Sequence, residues 1–224
     1  MLRHKAIKKV LEKGKAEEWN DDHTIDPSNI ILFWDDFIEG INPNRWDTGQ
    51  TTGSGDVYVA FEDNHMFIKL DSGTTSGSVA SMRLKVGNVT HKDDLPIAVF
   101  SVNAVNKDKL EFGLMDWGTD PFTANQSGAY FRIKAGKVYA VVGNGSNETE
   151  IEIATAQDYN VYWIKFTSTN VQFYVGDRSS PVASIDTNIP GNPLTIKISA
   201  GTYDTTAQVL RTDFVGLIRN RKNA

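Results

Sequence analysis

Leu110-Glu111-Phe112-Gly113-Leu114-Met115-Asp116-Trp117 decides how the chain is read, because apolar and other residues alternate along it with the period of a β-strand. Residues i, i+2 and i+4 of a strand share a face, and one bulge returns residue i+5 to that face. Glu111, Gly113 and Asp116 are therefore expected to line one groove, with two carboxylates in it.

Outward from this stretch the same period recurs. Tyr162, Ile164 and Phe166 alternate with Trp163, Lys165 and Thr167, and Val171, Phe173 and Val175 alternate with Gln172 and Tyr174. Short segments of this kind run from Ile30–Trp34 to Asp213–Ile218, separated by clusters of Gly, Asn, Asp and Ser. Asp63-Asn64, Ala135-Gly136 and Ser168-Thr169-Asn170 have the chemistry of hairpin turns. The pattern predicts an all-β, two-sheet antiparallel jelly-roll sandwich rather than βαβ units, with one domain over residues 29–224.

Before it, Leu2, Ala6, Ile7, Val10 and Leu11 recur at helical spacing opposite lysines, predicting a short amphipathic helix that ends near Gly14. Such a helix is marginal alone and needs a partner surface, so residues 1–28 are expected to be a helix and linker open to self-association. A solvated basic arm is the alternative.

Composition removes several function classes. The 224 residues hold 28 acidic against 23 basic side chains, a net charge of −5, which leaves no electrostatic footprint for nucleic acid. There is no cysteine, hence no disulfide framework and no thiolate metal site. No apolar run reaches the roughly 18 residues of a membrane span, and the basic N-terminal segment lacks the apolar core of a cleavable signal peptide. His4, His23, His65 and His91 lie far apart, with no pair at ligand spacing.

The strand around Glu111 resembles the Glu-x-Asp-x-x-Glu strand of retaining β-glucanases of the laminarinase/lichenase family, with its carboxylates altered. Glu111 matches the nucleophile, the middle Asp is Gly113, and the acid/base Glu is the shorter Asp116. A retaining glycosidase holds its two carboxyls roughly 5–5.5 Å apart and tunes each by its neighbours. Withdrawing the acid by roughly 1 Å costs about a hundredfold, so the resemblance implies a broken device and a chain that is not an enzyme.

Both ends carry a wider resemblance. Phe33-Trp34-Asp35-Asp36-Phe37 with Asn42-Pro43-Asn44-Arg45-Trp46 is similar to the opening of concanavalin A-like glucanases and lectins, and Thr212-Asp213-Phe214-Val215-Gly216-Leu217-Ile218-Arg219 to their closing strand. Ser127-Gly128-Ala129-Tyr130-Phe131 and Val171-Gln172-Phe173-Tyr174-Val175-Gly176-Asp177 resemble laminin-G-like hairpins. This resemblance implies a structural calcium ion held by Asp36, Asp213 and the Gly40 carbonyl, two hydrogen-bonded turn carboxylates being the alternative. Glu18 to Ile25 resembles the Glu-Trp-Asn-x-Asp-His-x-Ile connector of tail-fibre and other virion-surface proteins, implying display on a virion or a comparable extracellular assembly.

Sugar sites combine an aromatic platform with groups that reach hydroxyls, and Trp117, Asp116, Asp120, Asn125, Gln126 and Tyr130 fall close together beside Glu111. The expectation is a non-catalytic carbohydrate-binding or adhesion domain whose partner is a glycan or cell-surface polysaccharide. Two alternatives stand beside it: a β-glucanase with Glu111 as nucleophile and Asp116 as acid, and a purely structural decoration or spike domain.

Overall fold

Alternation of side chains with period two lets a strand bury one face and leave the other for chemistry. The computed structural model describes residues 29–37, 40–49, 51–62, 65–85, 90–157 and 159–220. The helix and connector expected within residues 1–28 lie outside the described residues, as do Asp63 and Asn64.

The strands are β1 (Asn29–Asp35), β2 (Trp46–Asp47), β3 (Asp56–Glu62), β4 (His65–Asp71), β5 (Val79–Leu84), β6 (Ile97–Val105), β7 (Leu110–Asp116), β8 (Gly128–Lys134), β9 (Lys137–Gly143) and β10 (Glu148–Thr155). They continue as β11 (Tyr159–Phe166), β12 (Val171–Val175), β13 (Ala183–Ile185), β14 (Leu194–Gly201), β15 (Val209–Thr212) and β16 (Val215–Asn220). One sheet has seven strands in the order β10-β9-β8-β7-β14-β5-β2. The other has nine, ordered β13-β12-β11-β6-β15-β4-β3, with β16 continuing along β6 and pairing with β1. All the named pairings are antiparallel. Two stacked antiparallel sheets, with no α-helix among the described residues, make the expected sandwich.

Inner faces follow the alternation. Leu110, Phe112 and Leu114 of β7 point into the core, as do Tyr162, Ile164 and Phe166 of β11. The centre is aromatic: the Phe112 ring lies 5.3 Å from Phe131 in its own sheet and 5.0 Å from Tyr162 in the opposite one. Such pairs add about 0.5–1.5 kcal/mol each beyond their buried area, so they fix how the sheets meet.

Two short elements escaped the sequence pattern. Trp46-Asp47 is too brief to alternate, and the closing segment breaks at Asp213 instead of beginning there, giving β15 and β16 on either side of a bend.

Asp35, rather than Asp36, ties the opening segment together. It is nearly buried; its Oδ1 accepts from the Phe37 amide at 2.9 Å and its Oδ2 from Trp46 Nε1 at 2.8 Å. The Phe37 and Trp46 rings then pack 5.5 Å apart. Asp35→Ala leaves a buried indole N–H and an amide without an acceptor and is expected to cost about 2–3 kcal/mol in urea unfolding, with Asp35→Asn retaining part of it.

Candidate functional site

The outer face of the seven-stranded sheet is charged where the inner face is apolar. Register aligns Ser81, Ser199, Glu111, Arg132, Tyr139 and Glu152 in one row across it. The next row runs through Asp47, Arg83, Lys197, Gly113, Tyr130, Val141 and Glu150.

Glu111 is 1% exposed and every side of its carboxyl is engaged. Oε1 accepts from Arg132 Nε at 2.8 Å, and Oε2 accepts from Gln126 Nε2 at 2.7 Å and from the Phe122 amide at 3.0 Å. Burial pushes this carboxyl up, against the opposing pull of Arg132, Gln126 and Phe122. Beside it, Gln126 Oε1 and Ser127 Oγ are buried with no hydrogen-bond partner among the described residues.

Arg132 links Glu111 to a second carboxylate. Its Nη1 donates to Glu148 Oε1 at 2.8 Å and to Glu150 Oε2 at 2.7 Å, while its Nη2 donates to Tyr130 Oη at 2.9 Å. Partial burial would raise Glu148, but hydrogen bonds and the charge of Arg132, with help from Tyr130, hold it below the usual range. Two carboxyls gripped by one guanidinium are thus displaced in opposite directions.

The segment 117–127 between β7 and β8 lies over this face. Arg83 Nη1 donates to the Trp117 carbonyl at 2.6 Å and its guanidinium stacks 3.9 Å from the Trp117 ring centroid. Lys197 Nζ donates to the Thr119 carbonyl, and Phe122 and Gln126 reach Glu111 as above. The segment therefore closes over the outer side of β14, and Lys197 there is 1% exposed. Its backbone carries strain: Phe122 (φ 62°) and Asn125 (φ 55°) both sit in the left-handed region.

The expected sugar residues are placed differently from one another. β7 pairs with β8 and β14 without a register shift, so no bulge occurs and Met115, not Asp116, follows Glu111 and Gly113 on the outer face. Asp116 instead accepts from the Gly118 amide at 2.7 Å and from Asn192 Nδ2 at 2.9 Å. Tyr130 is fully buried against Met115 and Val141 and offers no ring face, and Trp117 gives one face to Arg83. Asp120 and Asn125 are exposed on the covering segment. Gly113 has a steric reason: a Cβ there would lie 2.5 Å from the Ala129 carbonyl oxygen and from Tyr130 Cα.

The open part of the face is a cavity of about 280 Å³ lined by Lys109, Glu111, Phe122, Arg132, Glu148 and Tyr203, among others. Lys109, Arg132, Glu148 and Tyr203 were not expected. The available signal was the alternation of Tyr130, Arg132 and Lys134 with that of Glu148, Glu150 and Glu152, complementary charges on nearby strands.

The calcium expectation gains no support from clustered acidic side chains. No group of three His, Cys, Asp or Glu side chains able to hold a metal exists among the described residues, and Asp213 Oδ2 accepts from Ser101 Oγ at 3.4 Å.

No protein-family model and no curated protein matches the sequence. Solved structures do. The β-glucanase of Bacillus licheniformis is 14% identical, covering 85% of this chain and 98% of its own at a TM-score of 0.60. The catalytic domain of an endo-1,3-β-glucanase (laminarinase) from Thermotoga petrophila is 13% identical, covering 87% and 99% at 0.58. A glycoside hydrolase family 16 endo-glucanase from Bacteroides ovatus is 15% identical, covering 84% and 100%, also at 0.58. The chain has the concanavalin A-like jelly-roll fold of these proteins. The expectation that it is not an enzyme is corrected by the same matches: the altered β7 strand stands in a fold that catalytic domains share over nearly their whole length.

Two outcomes test the site's construction. Gly113→Asp, which restores the glucanase residue type, overpacks the strand and is expected to lose about 3 kcal/mol or more in chemical unfolding. Burial lowers Lys197 to about 8, below its ordinary 10.5, so above pH 8 the unfolded chain binds more protons than the folded one. The contribution of this group to stability is therefore expected to rise from about pH 8 up to its ordinary 10.5, a rise read from urea midpoints and absent in Lys197→Met.

Proposed function

We propose that this chain is a glycoside hydrolase of the β-glucanase type, cleaving a β-linked polysaccharide on the outer face of the seven-stranded sheet with Glu111 and Glu148 as its carboxyl pair. The observation that carries the reading is the opposed tuning of these two groups at one cavity. A glycosidase needs one carboxyl that holds a proton and one that stays ionised, and divergent environments are how a pair is given these roles. Asp116 is not the partner, because its oxygens are turned to Gly118 and Asn192.

Glu111 is the acid. Turning the Gln126 amide over brings its orphan Oε1 to accept a proton held on Glu111 Oε2, which favours the neutral form. Glu148, partly exposed and ionised, is the base or nucleophile, and Arg132 orients both. As the glycosidic bond breaks, the Glu111 proton passes to the leaving oxygen; water supplies the hydroxyl at the anomeric carbon, and its remaining proton restores the pair. Lifting of segment 117–127 uncovers Glu111 for this step, since Phe122 and Gln126 cap it.

Attachment to a larger assembly through residues 1–28 is a separate proposal resting on the Glu18 to Ile25 resemblance. A chain lacking these residues that associates as the full chain does would contradict it.

Hydrolysis is tested by reducing-end release from β-1,3- and mixed-linkage β-1,3-1,4-glucan. Activity is expected to fall by about a hundredfold or more in both Glu148→Gln and Glu111→Gln, with folding checked by circular dichroism. Activity untouched by Glu148→Gln removes the pair, and no release from either glucan or from a β-linked acidic polysaccharide such as polymannuronate removes the hydrolase.

A further inference from the structure

Among the described residues, Lys109 is the cation of the cavity beside Glu111 that the carboxylate network does not use. Glu111 and Glu148 are held by Arg132, Lys134 is paired with Glu150, and Asp108 Oδ1 accepts from the Ala135 amide at 3.0 Å. Lys109 has no hydrogen-bond or ion-pair partner for its ammonium among the described residues. It lies instead between two rings, 4.2 Å from the Tyr203 centroid and 5.0 Å from that of Phe122.

This position is built. A Cβ on Gly201 would lie 2.7 Å from Phe122 Cε2 and 3.1 Å from Lys109 Cδ, so the bare backbone there is the seat for both side chains. Tyr203 stands at the cavity wall with 64% of its surface exposed, one of the few large apolar side chains so open. An aromatic face beside a fixed ammonium suits a pyranose ring that carries a negative group: the ring packs on the tyrosine and the anion meets the lysine. Burial lowers Lys109, with Glu111 and Asp108 only partly opposing, and a bound anion would offset that cost.

We infer that the Lys109–Phe122–Tyr203 corner of the cavity is a subsite for a sugar residue bearing an anionic substituent, a carboxylate or a sulfate ester, with Lys109 as the specificity-determining residue. The inference rests on the glycan-directed reading above and narrows its substrate to acidic polysaccharide. Arg132 cannot take this role, because its guanidinium is already committed to Glu111, Glu148 and Glu150.

Isothermal titration of the full chain with β-1,4-linked tetramannuronate, a sulfated β-linked galactan tetrasaccharide, and neutral cellotetraose and laminaritetraose decides it. At least one acidic oligomer is expected to bind roughly tenfold or more tighter than both neutral ones, since a charge-assisted hydrogen bond is worth about that factor. The preference should vanish in Lys109→Gln, return in Lys109→Arg, and be accompanied by loss of all sugar binding in Tyr203→Ala. Whether the uronate or the sulfated oligomer binds more tightly identifies the anion. Neutral oligomers binding as tightly as acidic ones, or a preference that survives Lys109→Gln, overturns the subsite and leaves the glycan-directed reading intact. Binding of none of the four overturns both.

Discussion

One guanidinium organises the charged face of this protein. Arg132 is held between Glu111, Glu148 and Glu150, three carboxylates from two strands on either side of its own. Burial disfavours its charged form, yet the carboxylates around it drive its proton affinity well up. A buried charge stripped of its partner costs roughly 3–5 kcal/mol, so the members of this cluster hold one another in place. Tyr130 completes it, donating to Glu148 and accepting from Arg132 while its ring stays buried.

The covering segment 117–127 depends on the same charges. Arg83, Lys197 and Glu111 each reach out of the sheet and bind backbone of the segment: the Trp117 carbonyl, the Thr119 carbonyl and the Phe122 amide. Polar groups that would otherwise face a ligand thereby fasten a loop. Three anchors of this kind, with left-handed non-glycine residues at the third, Phe122, and beyond it at Asn125, describe a segment held against its own backbone preferences. In a hydrolase this is a cover over the acid, and what it leaves open is the corner where Glu148, Lys109 and Tyr203 meet the solvent.

The fold was legible from period-two alternation, because inward residues such as Tyr162, Ile164 and Phe166 repeat with little interruption. Glu111 was legible for the same reason. Asp116 was misplaced because a bulge leaves no mark in a single sequence, and pairing through Leu194 and Gly128 turned out regular. Trp117 and Tyr130 carried the residue types of a sugar platform, but their partners, Arg83 and the Met115–Val141 pair, lie far along the chain or across the sheet. Glu148 and Tyr203 sit 37 and 92 residues beyond Glu111, positions that only the sheet order brings to one cavity.

The central claim is that Glu111 and Glu148 share a guanidinium yet hold opposite protonation preferences. Carbon-13 NMR titration of the glutamate side-chain carboxyls, assigned with the two Gln variants, measures it directly. Glu148 is expected to titrate below the ordinary glutamate value and Glu111 above it. Glu111 titrating at or below Glu148 would contradict the account.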